Sequence, residues 1–279
     1  MVESTVRRES PAAAVKRDTC PLRRSFVERE LGSQDLTPLA SLLRTRGAAG
    51  GQGGALRISL LLSLIWVTAR EPYTTSRVAA YWAELIGRSD DPRGDGARAV
   101  RDALHELADR RLVGLHTIGP KTLIELHNES RPIDSRGAPV LYRPPYNTEP
   151  YLPIPRAFWT EGLAANLSGA GVAMYLCSLA MTRAEDPEFF IVGSYFDDRY
   201  GISRSSRKRG LAELVERGVL TVDVKESQDP VTYRTVRRNR YRLAQPFQQP
   251  APWVSPDAGQ ATSGGPAAAK STNASTVRT

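Results

Sequence analysis

Residues 203–220 read Ser-Arg-Ser-Ser-Arg-Lys-Arg-Gly-Leu-Ala-Glu-Leu-Val-Glu-Arg-Gly-Val-Leu, a basic start running into an apolar stripe. Ser203 supplies a side-chain oxygen where an N-cap is wanted, and Leu211, Leu214 and Val215 recur at helical spacing, which predicts a capped helix over 204–217. Arg204, Arg207 and Lys208 stand at i, i+3 and i+4 and are expected to share one face of it. Two strands are expected next, at 219–226 and 232–243, with Asp229-Pro230 at the tip between them. Upstream, the pattern gives a helix over 168–181, a short strand over 189–192, a helix over 195–200 capped by Ser194, and a turn at Gly201-Ile202.

The same order is written once before in the chain. An apolar helix is expected over 56–69 and a second over 75–86, where Val78, Ala79, Tyr81, Trp82, Leu85 and Ile86 supply an inward stripe. A Gly- and Asp-rich turn over 89–96 leads to a third helix over 97–111, with Val100, Leu104 and Leu107 at helical spacing. Strands at 112–118 and 122–127 follow, turning at Gly119-Pro120-Lys121. An offset of 107 residues superposes Leu104 on Leu211, Glu106 on Glu213, Leu107 on Leu214 and Arg110 on Arg217. Helix, helix, turn, helix and hairpin is the winged-helix plan, a helix-turn-helix variant whose third helix enters the major groove.

The expected fold class is therefore α+β, mainly helical, with two tandem winged-helix domains and disordered tails. Residues 1–36, polar and aperiodic apart from a short helix over 23–31, are read as a flexible arm. Residues 37–130 form the first domain, an association module. Residues 131–150 open a stretch with seven prolines up to Pro155 and are read as a linker. Residues 151–245 form the second domain, and 246–279, poor in bulky apolar residues, a disordered tail.

The segment 203–220 resembles the recognition helix and first wing strand of GntR-type regulators, which read Ser-Arg-x-Thr-Val-Arg-x-Ala-Leu-x-x-Leu-x-x-x-Gly-Leu. That likeness implies DNA contacts by Arg204 and Lys208, with Ser206 in the hydroxyl position. It departs at Arg207, which stands where the family has a core valine. The first copy keeps the apolar residue, Val100, and has Ala97 opposite Arg204. The resemblance covers about twenty residues, and no effector domain of the GntR kind follows. Two unequal winged helices in one chain also resemble theta-type plasmid replication initiators, in which the first domain commonly dimerises and the second grips repeated sites. The strand carrying Arg237-Arg238-Asn239-Arg240-Tyr241-Arg242-Leu243 is similar to that of winged-helix proteins of G+C-rich bacteria.

Charge assigns roles to the copies. The chain carries a formal net charge of +8, which points to a polyanionic partner. Residues 55–130 hold ten Lys plus Arg against ten Asp plus Glu, whereas 203–242 hold eleven against five. The expected DNA-binding residues are Ser203, Arg204, Ser205, Ser206, Arg207 and Lys208 on the helix, and Arg234, Arg237, Arg238 and Arg240 on the wing. Alternation puts Arg238, Arg240 and Arg242 on one strand face and Arg237, Asn239 and Tyr241 on the other.

Other chemistry is set aside. Cys20 and Cys177 are too far apart in sequence for a disulfide framework or a metal knuckle, and Cys177 reads as core. His105, His116 and His127, the three histidines, show no ligand spacing, so no metal is expected. The glycine-rich run 47–54 lacks the Gly-Lys-Ser/Thr of a phosphate loop and reads as a flexible loop. Neither a nucleophile elbow nor a paired-carboxylate pattern stands out, and Tyr241 has no recombinase-like catalytic domain beside it, so no enzyme activity, cofactor or small-molecule effector is expected. The stretch 55–67 is too short to span a bilayer, and Met1–Asp18 lacks the apolar core of a secretory signal, which places the chain in the cytoplasm. The expected function is sequence-specific binding of double-stranded DNA as a homodimeric transcriptional regulator. A plasmid-type replication initiator and a winged-helix adaptor for protein partners are the alternatives.

Overall fold

Two segments, 53–67 and 169–181, are apolar on every side, and a helix of that kind must be buried all round. In the computed structural model, which describes residues 10–30, 32–44, 53–88, 91, 93–145, 149–228 and 235–250, both are central helices. The elements of the first part are α1 (Pro11–Ala14), β1 (Thr19–Arg23), α2 (Arg24–Val27), α3 (Pro38–Leu43), α4 (Gly53–Val67), β2 (Thr74–Thr75), α5 (Ala79–Leu85), α6 (Asp95–Asp109), β3 (Val113–Ile118) and β4 (Lys121–Leu126). The second part holds β5 (Tyr151–Pro155), α7 (Ala157–Thr160), α8 (Leu163–Asn166), α9 (Gly169–Met181), β6 (Glu188–Phe190), α10 (Gly193–Tyr200), α11 (Arg204–Glu216), β7 (Leu220–Gln228) and β8 (Thr235–Leu243). The fold is mixed α and β with small sheets.

One arrangement occurs twice. In the first half α4, β2, α5 and α6 precede the β3–β4 hairpin; in the second α9, β6, α10 and α11 precede β7–β8. Both sheets have the short strand paired to the last one, in the orders β2-β4-β3 and β6-β8-β7, antiparallel throughout. The repeat extends to the helix ends. Leu112 and Val219 donate backbone bonds to Leu107 and Leu214, five residues back. The residues just before them, Arg111 and Gly218, both take positive φ, +61° and +69°, so this conformation ends the helix in each copy.

The sequence reading needs correction in three places. First, the arm is not loose: β1 pairs antiparallel with β5, setting Cys20 against Ile154 and Leu22 against Leu152, and Cys20, Leu22, Phe26 and Val27 are fully buried. Residues 1–9 and 31 lie outside the described residues. Second, the proline-rich stretch is not a free linker. Asn128 and Tyr142 donate backbone bonds to Val140 and Leu126, folding 128–142 back along β4, and Tyr142 is fully buried. Prolines 153 and 155 alternate with Leu152 and Ile154, so the amide donors a ladder needs survive.

Third, the halves do not have separate cores. A single apolar cluster runs from Ala12 to Leu243. α4 packs on α9, the Trp66 and Trp159 rings stack with centroids 4.1 Å apart, and Trp159 Nε1 donates to Ser63 Oγ at 2.9 Å. Smaller differences are that Thr74–Thr75 form β2 instead of opening a helix, and that α10 starts at Gly193 without a side-chain cap from Ser194. The hairpin tip at Asp229-Pro230, the loop 47–52 and the tail from 251 lie outside the described residues. Residues 246–250, expected to belong to the tail, include Phe247, which packs against the core and accepts a hydrogen bond from Tyr175 Oη.

Polar groups tie this core together. Arg57, 3% exposed in the middle of apolar α4, donates to the Leu42 carbonyl and pairs with Glu106 of α6 at 2.6 Å. Arg23 and Glu129, 3% and 0% exposed, pair at 2.7 Å; the Arg23 backbone N–H also donates to Glu129, and its guanidinium reaches Glu149 and the Arg143 carbonyl. Burial pushes the Glu129 carboxyl above the usual carboxylate range, and Arg23 pulls against that shift.

Close approach of helices sets where α11 lies. Gly210 is buried against α9, and a Cβ there would press on the Ala170 carbonyl oxygen and the Met174 side chain. Gly210→Ala is therefore expected to destabilise the chain by about 1–3 kcal/mol through overpacking, although alanine is the better helix former by roughly 1 kcal/mol. Urea unfolding of the full chain checks this; a gain in stability would show that the crossing relaxes.

Candidate nucleic-acid interface

The N-terminus of α11 is built by hydroxyls. Ser203 Oγ accepts from the Ser206 backbone N–H at 3.3 Å and donates to the Ser206 hydroxyl oxygen at 3.1 Å, with Ser205 Oγ also 3.1 Å away. On the other side Gly210, Leu211 and Leu214 are buried. Glu213 turns back to α9, accepting from the Ser168 N–H and hydroxyl. That leaves one open face on which Arg204, Ser205, Lys208, Arg209 and Ala212 are exposed. No hydrogen bond or ion pair joins Arg204, Lys208 or Arg209 to another described residue.

Arg207 does not share this face, which corrects the grouping of Arg204, Arg207 and Lys208. Its side chain is 13% exposed and pairs with Asp197 of α10 at 2.7 Å. It also donates to the Gly193 carbonyl and lies over the Phe196 ring, 5.1 Å from the centroid. Arg207 thus points inward, as a valine at that position would, and carries its charge through the packing to an acid on the neighbouring helix. Arg209, beside Lys208 on the open face, was not among the expected site residues. The buried Gly210 next to it is the signal that would have found it, because a small residue marks the contact side of the helix and places its neighbour outside.

The β7–β8 hairpin extends from the end of α11. Its register sets Thr221 against Arg242, Asp223 against Arg240, Lys225 against Arg238 and Glu226 against Arg237. Leu243 is buried and Tyr241 stacks on Phe189 at 5.5 Å, so the face bearing Tyr241 turns inward at its base. Arg238, Arg240 and Arg242 therefore line the outer face with Lys225. The Arg238 guanidinium lies over Phe190, 5.5 Å from the ring centroid. Arg240 and Lys225 pair with Glu188 of β6 at 3.2 and 3.6 Å, and Arg242 bonds the same carboxylate. Hydrogen bonds from Arg242 and then Arg240 hold the Glu188 carboxyl below the usual carboxylate range. Arg237, on the opposite strand face, pairs loosely with exposed Glu226 at 3.3 Å. Arg234 lies outside the described residues.

The equivalent face of the first half is different in kind. Ala97, in the place of Arg204, and Val100, in the place of Arg207, are fully buried. The exposed positions of α6 carry Asp95, Arg98, Arg101, Asp102, His105 and Asp109, acids and bases mixed. Comparison with known protein families, curated proteins and solved structures finds no match to this chain.

Proposed function

We propose that this chain is a double-stranded DNA-binding protein, a transcriptional regulator built from two winged-helix modules, in which α11 reads the major groove and the β7–β8 wing holds the phosphate backbone. The observation that carries this reading is the open face of α11, where Arg204, Lys208 and Arg209 stand exposed toward the helix N-terminus without a side-chain partner among the described residues. Free guanidinium and ammonium groups on one helical face suit base edges, and serine hydroxyls at the helix start suit phosphates. The wing supplies Arg238, Arg240, Arg242 and Lys225, a row that neutralises phosphates without reading sequence.

On this reading Glu188 sets how tightly the wing grips. It occupies Arg240, Arg242 and Lys225, so those cations reach DNA only by exchanging one anion for another. Glu188→Gln is expected to strengthen binding to all duplexes alike and to steepen the dependence of log affinity on log salt by about one, the value of one further phosphate contact. Fluorescence anisotropy across a salt series measures both. An unchanged slope would remove the wing from the interface.

Self-association belongs to the first half, whose net charge of zero over 55–130 gives little counterion release and whose surface exposes Val78 and Ile118. A two-fold assembly matches symmetric operators. Sedimentation of the full chain is expected to give a dimer, and of the Val78→Glu, Ile118→Glu variant a monomer; a monomeric parent would discard this assignment.

A further inference from the structure

Each half has a cleft in the same place, where the end of its first helix, its short strand and the start of its second helix meet a segment of the N-terminal arm. In the second half that segment is α2, and Arg24, Arg183, Arg199 and Arg240 share the cleft with Glu28, Asp186 and Glu188. Glu28 pairs with Arg24 and Arg199, and Glu188 with Arg240. Three of these four cations are thereby matched by acids of the chain itself.

In the first half the segment is 14–17, and Lys16, Arg17, Arg70 and Arg77 line a cleft of about 570 Å³. Exposed Glu71 is the one acid in its lining, and no ion pair joins any of the four cations to another described residue. Arg17 donates to the Ala69 carbonyl at 3.1 Å, but its Nη1 is buried without a partner. Arg77 lies over the Tyr81 ring, 4.3 Å from the centroid.

The clefts differ in a hydroxyl as well. Thr68 follows the last residue of α4 as Thr182 follows the last of α9, and they are 7% and 3% exposed. Thr182 Oγ1 donates to the Ser178 carbonyl at 2.9 Å, whereas Thr68 Oγ1 is buried without a hydrogen-bond partner among the described residues. A buried polar group left unpaired in one copy and paired in the other calls for an explanation. Gathered positive charge in a concavity, with donors to spare, suits a small anion rich in acceptor oxygens. Guanidinium forks match phosphate oxygens, and the volume falls within the roughly 300–1,000 Å³ of small-ligand sites. A duplex, convex along its length, would span the mouth of the cleft without filling it. Sequence spacing hides such a site, because 14–17 and 66–77 meet only in the fold.

We propose that the cleft of the first half binds a small ligand carrying two or more phosphate groups, either free pyrophosphate or the phosphates of a nucleotide, held by Lys16, Arg17, Arg70 and Arg77. This goes beyond the DNA reading and does not depend on it. Isothermal titration calorimetry of the full chain at low salt, with pyrophosphate and with ADP in separate runs, tests it. The expected result is one equivalent bound; equal affinities assign recognition to the phosphates alone, and tighter ADP binding assigns the nucleotide. Arg70→Ala, Arg77→Ala is expected to weaken binding at least about tenfold, since each position loses bonds to a charged group. Arg93→Ala, Arg98→Ala removes the same charge from exposed positions elsewhere in the first half and is expected to bind as the parent does. Circular dichroism verifies that both variants fold, which four exposed positions allow. A parent that binds neither probe, or equal weakening in the two double variants, overturns the proposal. Loss of duplex affinity in Arg70→Ala, Arg77→Ala without binding of either probe also overturns it, and makes the cleft a DNA contact.

Discussion

Glu129→Ala is expected to destabilise the chain by about 3–5 kcal/mol, a large share of the stability of an ordinary protein. The loss comes less from a missing attraction than from what is left behind. Arg23 would remain 3% exposed, a buried guanidinium with its buried counter-charge removed and its backbone N–H without the Glu129 carboxylate. Glu149 also bonds Arg23 but is itself 46% exposed, so its attraction is weakened by solvent. The damage should spread, because Arg23 ends β1 and β1 carries β5 into the shared core. Chemical denaturation of parent and variant, completed as a double-mutant cycle with Arg23→Met, measures the loss and its coupling. Destabilisation below about 1 kcal/mol would mean that water reaches the pair.

The Arg204→Ala, Lys208→Ala variant is expected to lose about 1–3 kcal/mol of specific DNA affinity for each base contact removed, together up to some four orders of magnitude. Its fold should persist, since both side chains are exposed and alanine is a strong helix former. Arg207→Ala serves as the contrast. It removes the pair with Asp197 and the contact with Phe196, so it should lower stability more than it alters sequence preference. Footprinting on a selected site, with thermal unfolding alongside, separates the two effects. Unchanged affinity in the double variant would end the assignment of α11 as the reading helix.

Much of the architecture was legible because its signals are local. Ser203 is an N-cap, as the sequence implied, and the offset of 107 residues anticipated an order of elements that occurs twice. The sequence was silent wherever partners lie far apart. Nothing in 19–23 announces a strand, because its partner is 151–155 and prolines in both segments disguise the ladder. The merged core was equally hidden, since α4 and α9 read as buried helices without saying that they bury each other. At the candidate site the cap and the basic residues were readable one by one. The inward turn of Arg207 was not, because it depends on Asp197 one helix away. The same is true of the acid that occupies the wing: Glu188 meets Arg240 and Arg242 across more than fifty residues of chain.

The stacking of Trp66 on Trp159 bears on how such a chain can change over time. Repeated modules joined by a tether are interchangeable parts, each able to be lost, copied or grafted without harm to the other. Here the copies have given up that freedom. A second half moved into a new setting would expose the faces of α9 and Trp159 that α4 covers, and would leave β5 without β1. The pair can diverge in charge, as α6 and α11 have done, but only while the surfaces between them change together. Inheritance acts on this chain as one unit, although its sequence still carries the imprint of two.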